Sequence, residues 1–316
     1  MPLRLGTRGS ALAMAQARQV ADALGGAEIV PIRTSGDEPG TGGADLGSGG
    51  SGEGSGGDKA RFVREIERAL LDGEVELAVH SAKDVPTELP PGLVIAGVPA
   101  RENPRDAFIG ASDALGEVPE GARIGTSSLR RRAQLLAARP DLEIAEVRGN
   151  VDTRLRKLAD GEFDGLVLAA AGLRRLGRPG EIAFEFDPAE VTPAAGQGAL
   201  ALECRLDDQA EARAQTVTDR EALATLSCER AVVSGLQASC NTPLGVYARL
   251  EGADIRVSAF CGLPDGSEWL RDEVVADASD PRGAGAELAR RMRSTGADEI
   301  LARAEEIALG PAGEPG

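Results

Sequence analysis

Aromatic side chains are nearly missing from this 316-residue chain: six Phe, one Tyr and one Trp make up 3% of it. The core must therefore be aliphatic, built from Leu, Val, Ile and Ala, and there is little to form the stacking platforms on which single-stranded nucleic acid is bound. Histidine occurs once. The four cysteines, Cys204, Cys228, Cys240 and Cys261, have no CxxC spacing, so reduced thiols are expected and a metal site is not. Lysine is scarce as well, with three residues among 35 basic ones. No run approaches the roughly 18 apolar residues of a membrane span. The opening MPLRLGTRGS lacks the apolar core of a secretory signal. A cytoplasmic protein without membrane association is expected.

Acid and glycine are plentiful. The formal charge is −16, which disfavours non-specific attraction to nucleic acid or acidic membranes. Between Gly121 and Gly180, however, twelve Arg or Lys face seven Asp or Glu, so this stretch is +5 and the remainder −21. A local cationic focus in an acidic protein suits a small polyanion better than a long nucleic acid. Glycine reaches 41 residues, ten of them among the eighteen positions from Gly40 to Gly57. Such a stretch buries too little surface to offset its ordering entropy and reads as a mobile loop, either a passive insertion or a lid.

With 42% hydrophobic and 27% charged residues, the chain reads as globular, with two or three domains. Leu3 to Thr7 and Glu28 to Thr34 read as strands around a helix from Ala11 to Leu24, which Ser10 caps and Gly25 closes. Arg61 to Leu71 fits a helix, and Glu76 to Val79 a third strand, a βαβαβ pattern that implies a parallel sheet. The same logic repeats in strands at Ala122 to Gly125, Glu143 to Val147 and Leu166 to Ala170, with helices from Leu129 to Ala138 and from Asn150 to Ala159. Gly198 to Glu203 reads as a strand returning to the first unit. Thr218 and Glu221 form a capping-box pattern before a helix to about Leu236. Three β-rich runs and two helices follow, at Leu244 to Leu250, Asp254 to Phe260, Glu268 to Val275, Ala284 to Arg293 and Ala297 to Ile307. The expected division is 1–99 with 198–217, 100–197, and 218–316.

Two places gather chemistry. In AVHSAKDVP, Ala78 to Pro86, the only histidine, Lys83 and Asp84 follow a short apolar strand, and open α/β sheets bind ligands beyond such strand ends. In Thr126, Ser127, Ser128, Leu129, Arg130 and Arg131, hydroxyls, backbone N–H groups and guanidiniums meet at a helix start, which makes an anion site. Arg148 and Arg154 flank the next helix start and are suited to bidentate carboxylate or phosphate binding. Cys240, before Asn241, Thr242 and Pro243, lies on a loop, whereas the other three cysteines read as inert core thiols. A loop cysteine is a candidate nucleophile or attachment point, with ordinary structural use left open.

TRGSALAMAQ, AVHSAKDVP, ARENPRDAF, GTSSLRRRAQL, VRGNVDTRL, AAAGLRRLG, AAGQGALALECR and SCNTPLG occur in that order between Thr7 and Gly245. Together they resemble the porphobilinogen deaminases, also called hydroxymethylbilane synthases. The resemblance implies an α/β fold: two lobes like those of periplasmic binding proteins, with mainly parallel mixed sheets, and a small C-terminal α+β domain with an antiparallel sheet. It implies a deaminating transferase that joins four porphobilinogen molecules head to tail into a linear tetrapyrrole on a covalent dipyrromethane primer. By the matching motifs, Cys240 holds the primer through a thioether and Asp84 is catalytic. Ser10, Lys83, Asp84, Thr126, Ser128, Arg130, Arg131 and Arg148 fall at cofactor contacts, and Arg8, Lys59, Arg148, Arg154 and Arg175 at substrate contacts. The implied partners are porphobilinogen and the growing oligopyrrole, bound by a monomer with no nucleic acid.

Two departures from the family pattern stand out. The loop end reads Gly57, Asp58, Lys59, Ala60, Arg61, Phe62 where the family commonly has GGKG before Phe, and Ser239 precedes the cysteine in place of glycine. The rival reading is a non-catalytic two-lobed anion clamp, which needs neither Cys240 nor Asp84. If the glycine-rich stretch is a lid, limited proteolysis between Gly40 and Gly57 should abolish turnover; unchanged turnover of the nicked protein would make it a passive insertion.

Overall fold

The computed structural model describes residues 2–32, 56–239 and 242–309. Cys240 and all but the last two residues of the glycine-rich stretch lie outside them. The chain forms two compact units, Met1–Ala100 with Leu200–Arg220, and Arg101–Ala199 with Glu221–Gly316.

In the first unit, β1 (Arg4–Arg8) leads into α1 (Ala11–Ala23), whose N-cap Ser10 accepts the Ala13 N–H at 3.3 Å. Gly25 follows the helix at φ +75°, a left-handed conformation in which glycine is unstrained. Ala13, Gln16, Ala17, Val20 and Ala21 form the buried stripe of α1. β2 (Glu28–Ile32), α2 (Gly56–Leu71) and β3 (Leu77–Ser81) follow, then a 3-10 turn over Ala82–Asp84 and β4 (Leu93–Gly97). The strand order is β2-β1-β3-β10-β4, where β10 is the returning strand Leu200–Arg205. β1 runs parallel to β2 and β3, while β10 pairs antiparallel with β3 and β4. α2 begins at Gly56, five residues before the expected start at Arg61.

The second unit opens with β5 (Asp106–Gly110), β6 (Arg123–Gly125), α3 (Leu129–Ala138), β7 (Glu143–Ala145), α4 (Val151–Ala159), β8 (Gly165–Ala169), α5 (Ala170–Arg175) and β9 (Phe184–Glu185). Its sheet runs β7-β6-β8-β5-β9, with β6 parallel to β7 and β8, and β5 antiparallel to β8 and β9. After α6 (Gln209–Thr216) in the first unit comes α7 (Arg220–Gly235). It packs with α8 (Pro281–Ser294) and α9 (Ala297–Leu309) on the antiparallel sheet of β11 (Leu244–Glu251), β12 (Asp254–Gly262) and β13 (Trp269–Asp277). Val232, Val246, Val257, Leu288 and Met292 are fully buried in that core.

The capping box is a correction. α7 starts at Arg220, and the Thr218 hydroxyl instead accepts the Val98 N–H at 3.2 Å and donates to Ala214 O at 3.0 Å. Thr218 therefore holds the end of β4 to α6.

Gly198, two residues before β10, adopts φ +86°, and a Cβ there would lie 2.2 Å from the Glu102 carbonyl oxygen. Gly198→Ala is expected to destabilise the protein by at least ~1–3 kcal/mol from the backbone conformation alone. Urea unfolding checks this, and a midpoint equal to that of the parent would contradict it.

Candidate functional site

The first unit places its candidates at the carboxyl ends of neighbouring parallel strands. Arg8 is the last residue of β1, and Ser10 caps the helix that follows. Lys83 and Asp84 lie in the 3-10 turn directly after β3. β1 and β3 are hydrogen-bonded neighbours, so all four residues come from one end of the sheet, the end where such sheets bind ligands. Buried Ala82 and Val85 flank Lys83 and Asp84, which are themselves half-buried, so the turn is anchored by apolar contacts on either side of its charges. Lys59 falls in the first turn of α2, where only the backbone is described.

In the second unit, β6 ends at Gly125, and Thr126, Ser127 and Ser128 lead into α3. Thr126 is buried and its Oγ1 accepts the Ser128 N–H at 3.3 Å, while the Ser128 Oγ caps the helix at the Arg131 N–H. Arg130 and Arg131, expected at a cationic surface, are both buried. Their common partner is Asp106, the first residue of β5, which is wholly buried and was not singled out from the sequence. Arg130 Nη1 donates to Asp106 Oδ2 at 2.6 Å and to Thr192 O at 2.7 Å. Arg131 Nε and Nη2 donate to Asp106 Oδ1 at 2.9 and 2.7 Å, and its Nη1 to Val167 O at 2.9 Å. Gln197 Nε2 adds a further bond to Oδ1 at 2.9 Å.

Burial alone would raise the Asp106 carboxyl, but the charges of Arg130 and Arg131 and the bonds from Arg130 and Gln197 outweigh it and hold the group well below the usual carboxylate range. The guanidinium of Arg131 is pushed down by burial and by Arg130, against the pull of Asp106. Arg154 is half-buried, donates through Nε to Gly149 O at 2.8 Å, and is pushed down by burial and by the charge of Arg131. Arg130 and Arg131 thus share one buried carboxylate, and Arg154 adds a third positive charge near Arg131, opposed by Glu146. Arg148 is exposed and paired with Glu146 at 2.9 Å. Arg175, on α5, donates to Gly198 O at 2.7 Å and is lowered by burial.

Cys204, Cys228 and Cys261 are buried free thiols, and burial pushes them up to about 11, about 12 and about 12. Thiols so far from ionisation are inert at neutral pH. Among the described residues, no group of three or more His, Cys, Asp or Glu is placed to hold a metal ion, and no helix is long and apolar enough to cross a membrane.

Residues 3–213 match the family model described as porphobilinogen deaminase, dipyromethane cofactor binding domain, and residues 223–294 match the porphobilinogen deaminase C-terminal domain. The chain belongs to the porphobilinogen deaminase family. It is 46% identical over 308 residues to a porphobilinogen deaminase of Thermus thermophilus, covering 95% of this chain and 98% of that protein. A Brevibacillus brevis porphobilinogen deaminase is 42% identical over 309 residues, covering 95% and 96%. The fold is mixed α/β, with two five-stranded mixed sheets and a three-stranded antiparallel C-terminal sheet.

Because Asp106 is the carboxylate that Arg130 and Arg131 share, Asp106→Asn should cost about 3–5 kcal/mol at neutral pH, the usual penalty for leaving buried charge uncompensated. The depressed carboxyl fixes the sign of the pH dependence. Its contribution is present above the ~3.9 of an unfolded aspartate and is lost as pH falls through the lower folded value. The stability gap between parent and variant, read by chemical denaturation, should therefore close only in strong acid; a gap of zero at pH 7 would remove Asp106 from this role.

Proposed function

We propose that this protein is a hydroxymethylbilane synthase: a deaminating transferase that condenses four porphobilinogen molecules head to tail, releasing ammonia each time. The observation that carries the reading is the surplus of partly and fully buried guanidinium charge at Arg130, Arg131 and Arg154. Each porphobilinogen brings two carboxylates, so a growing chain accumulates anions that such a cluster neutralises. Guanidinium forks suit carboxylates, and desolvation strengthens the pairing.

The same donor chemistry fits a dipyrromethane primer, whose pyrrole carboxylates match the cations and hydroxyls about α3. Thr126, Ser128, Arg130, Arg131, Arg148, Ser10, Lys83 and Asp84 are assigned to holding it, and Cys240 would carry it through a thioether. When bound, the primer supplies the pyrrole carbon to which the first unit is joined. Arg8, Lys59, Arg148, Arg154 and Arg175 are assigned to the carboxylates of incoming porphobilinogen.

Asp84 is assigned the chemistry at the reacting carbon. An ionised carboxylate there stabilises the positive charge that develops on porphobilinogen as its aminomethyl nitrogen leaves as ammonia, and it accepts the pyrrole hydrogen bond. This is preorganised electrostatic stabilisation of the oxyanion-hole kind with the sign reversed. Lys83, next to it, supplies a cation for a primer carboxylate. The reading carries with it three functional segments, 1–99 with 198–217, 100–197 and 218–316, and a cytoplasmic monomer.

The decisive experiment incubates the purified protein with porphobilinogen and measures ammonia and oxidisable tetrapyrrole. The parent protein should carry a two-pyrrole mass adduct that Cys240→Ser removes; an adduct on Cys204, Cys228 or Cys261, or none in active protein, would refute the attachment. Asp84→Asn should keep the adduct and lose about two to three orders of magnitude in rate, as when one main electrostatic stabiliser is removed. Asp84→Glu should retain partial activity, because the charge returns at an imperfect distance. Normal turnover by fully loaded Asp84→Asn would take Asp84 out of the mechanism.

A further inference from the structure

Under α2, in the first unit, lie three ionisable side chains that the chemistry above does not use. His80 is the penultimate residue of β3 and is 5% exposed, Glu203 on β10 is 0% exposed, and Glu67 on α2 is 4% exposed. The strand register pairs His80 with Ala201 and Ala78 with Glu203. His80 and Glu203 are therefore diagonal neighbours on one face of the sheet. His80 Nε2 lies 2.9 Å from Glu203 Oε2. The contact is off the line of a hydrogen bond, and His80 Nε2, both Glu203 oxygens and Glu67 Oε1 have no aligned partner elsewhere in the described structure. Ile66, Ala69, Leu70, Val75 and Ala78 make the surroundings apolar. In such a medium the three groups answer mainly to one another's charge.

We propose that Glu203 is a positioning residue for the Ala82–Asp84 turn: its carboxylate, in contact with the His80 imidazole, ties the end of β3 to β10 and so fixes where Lys83 and Asp84 project. The proposal rests on the role assigned above to Asp84. Burial raises the Glu67 carboxyl, the charge of Glu203 raises it further, and His80 and Arg64 oppose the shift. Glu203 is the carboxylate that touches the imidazole, at 2.9 Å. His80 is fixed against that carboxylate one residue before Ser81, the strand end from which the turn departs. A carboxylate at this place thus acts on the reacting turn without touching substrate.

The difference in contact makes isosteric variants unequal. In the loaded enzyme, Glu67→Gln leaves the His80–Glu203 contact in place and should keep kcat within about twofold. Glu203→Gln replaces the carboxylate that touches His80 and should lower kcat about ten- to a hundredfold, the scale of a reacting group displaced by an ångström or less, with KM near that of the parent. A role in packing alone would leave the two variants alike. Because His80 is the only histidine, its imidazole nitrogen resonances are assigned without ambiguity; they should move in Glu203→Gln and little in Glu67→Gln. Should Glu203→Gln fail to fold, infrared spectroscopy of the parent decides. A protonated-carboxyl stretch that Glu67→Gln removes should persist above the ~4.3 of a solvated glutamate. Equal kcat values in the two variants, an unmoved imidazole, or no such stretch would overturn the proposal. Normal turnover by loaded Asp84→Asn with the inequality intact would sink the Asp84 role and leave Glu203 as an anchor of β3. A crippled Asp84→Asn with the inequality missing would do the reverse.

Discussion

One buried carboxylate ties the start of α3 into the sheet of the second unit. Asp106 opens β5, inside that sheet, and receives five hydrogen bonds at 2.6 to 3.2 Å from Arg130, Arg131 and Gln197. Without it, two guanidiniums carried on the first turn of α3 would face one another in an apolar interior, at a cost of several kcal/mol per ion. With it, they are locked, and the peptide carbonyls of Thr192 and Val167 take up further donors. The arrangement leaves charge over. One aspartate does not balance both Arg130 and Arg131, in a protein whose overall charge is −16. On the reading proposed above, a stability device and an anion site are the same set of atoms.

A second buried acid repeats the principle farther along the chain. Glu229 on α7 takes the Arg101 guanidinium at 2.7 Å, the Gly196 N–H at 2.6 Å and the Ala248 N–H at 2.8 Å. Each bond comes from a different stretch of sequence, so a single side chain pins a strand, a loop and the entry to the unit. The first unit handles its buried charge differently, through the His80, Glu203 and Glu67 group, in which the partners are held by proximity and not by aligned bonds.

Local chemistry made part of this legible from the sequence. α3 and α4 begin and end where Ser128 and Asn150 predict, because each cap accepts an N–H of its own first turn. The antiparallel C-terminal sheet was legible for the same reason, through its turns and alternation. β5 was not, since Asp106–Gly110 is nearly all buried and shows no alternation. α6 was missed because Gln209–Thr216 buries only Ala210 and Ala214. Thr218 was misread because its spacing to Glu221 mimics a cap while its hydroxyl serves Val98. Arg130 and Arg131 were singled out as anion binders from a helix start; that they are buried against Asp106, 24 and 25 residues away, is a tertiary fact with no local trace. The one hint was an acid placed directly before an apolar run.

The returning strand β10 has a consequence for how the chain is made. It lies between β3 and β4, so the first unit's sheet has a gap until residues 200 to 205 exist. Everything from Arg101 to Ala199 must be translated first, which takes roughly 5 to 20 s at the ~5–20 residues per second of synthesis. Throughout that interval the nascent chain carries two strand edges with unpaired peptide groups, the feature most prone to pairing with the wrong neighbour. The length of the inserted segment therefore sets a waiting time at the ribosome, during which His80 and Glu67 are already present and the carboxylate that completes their cluster is not.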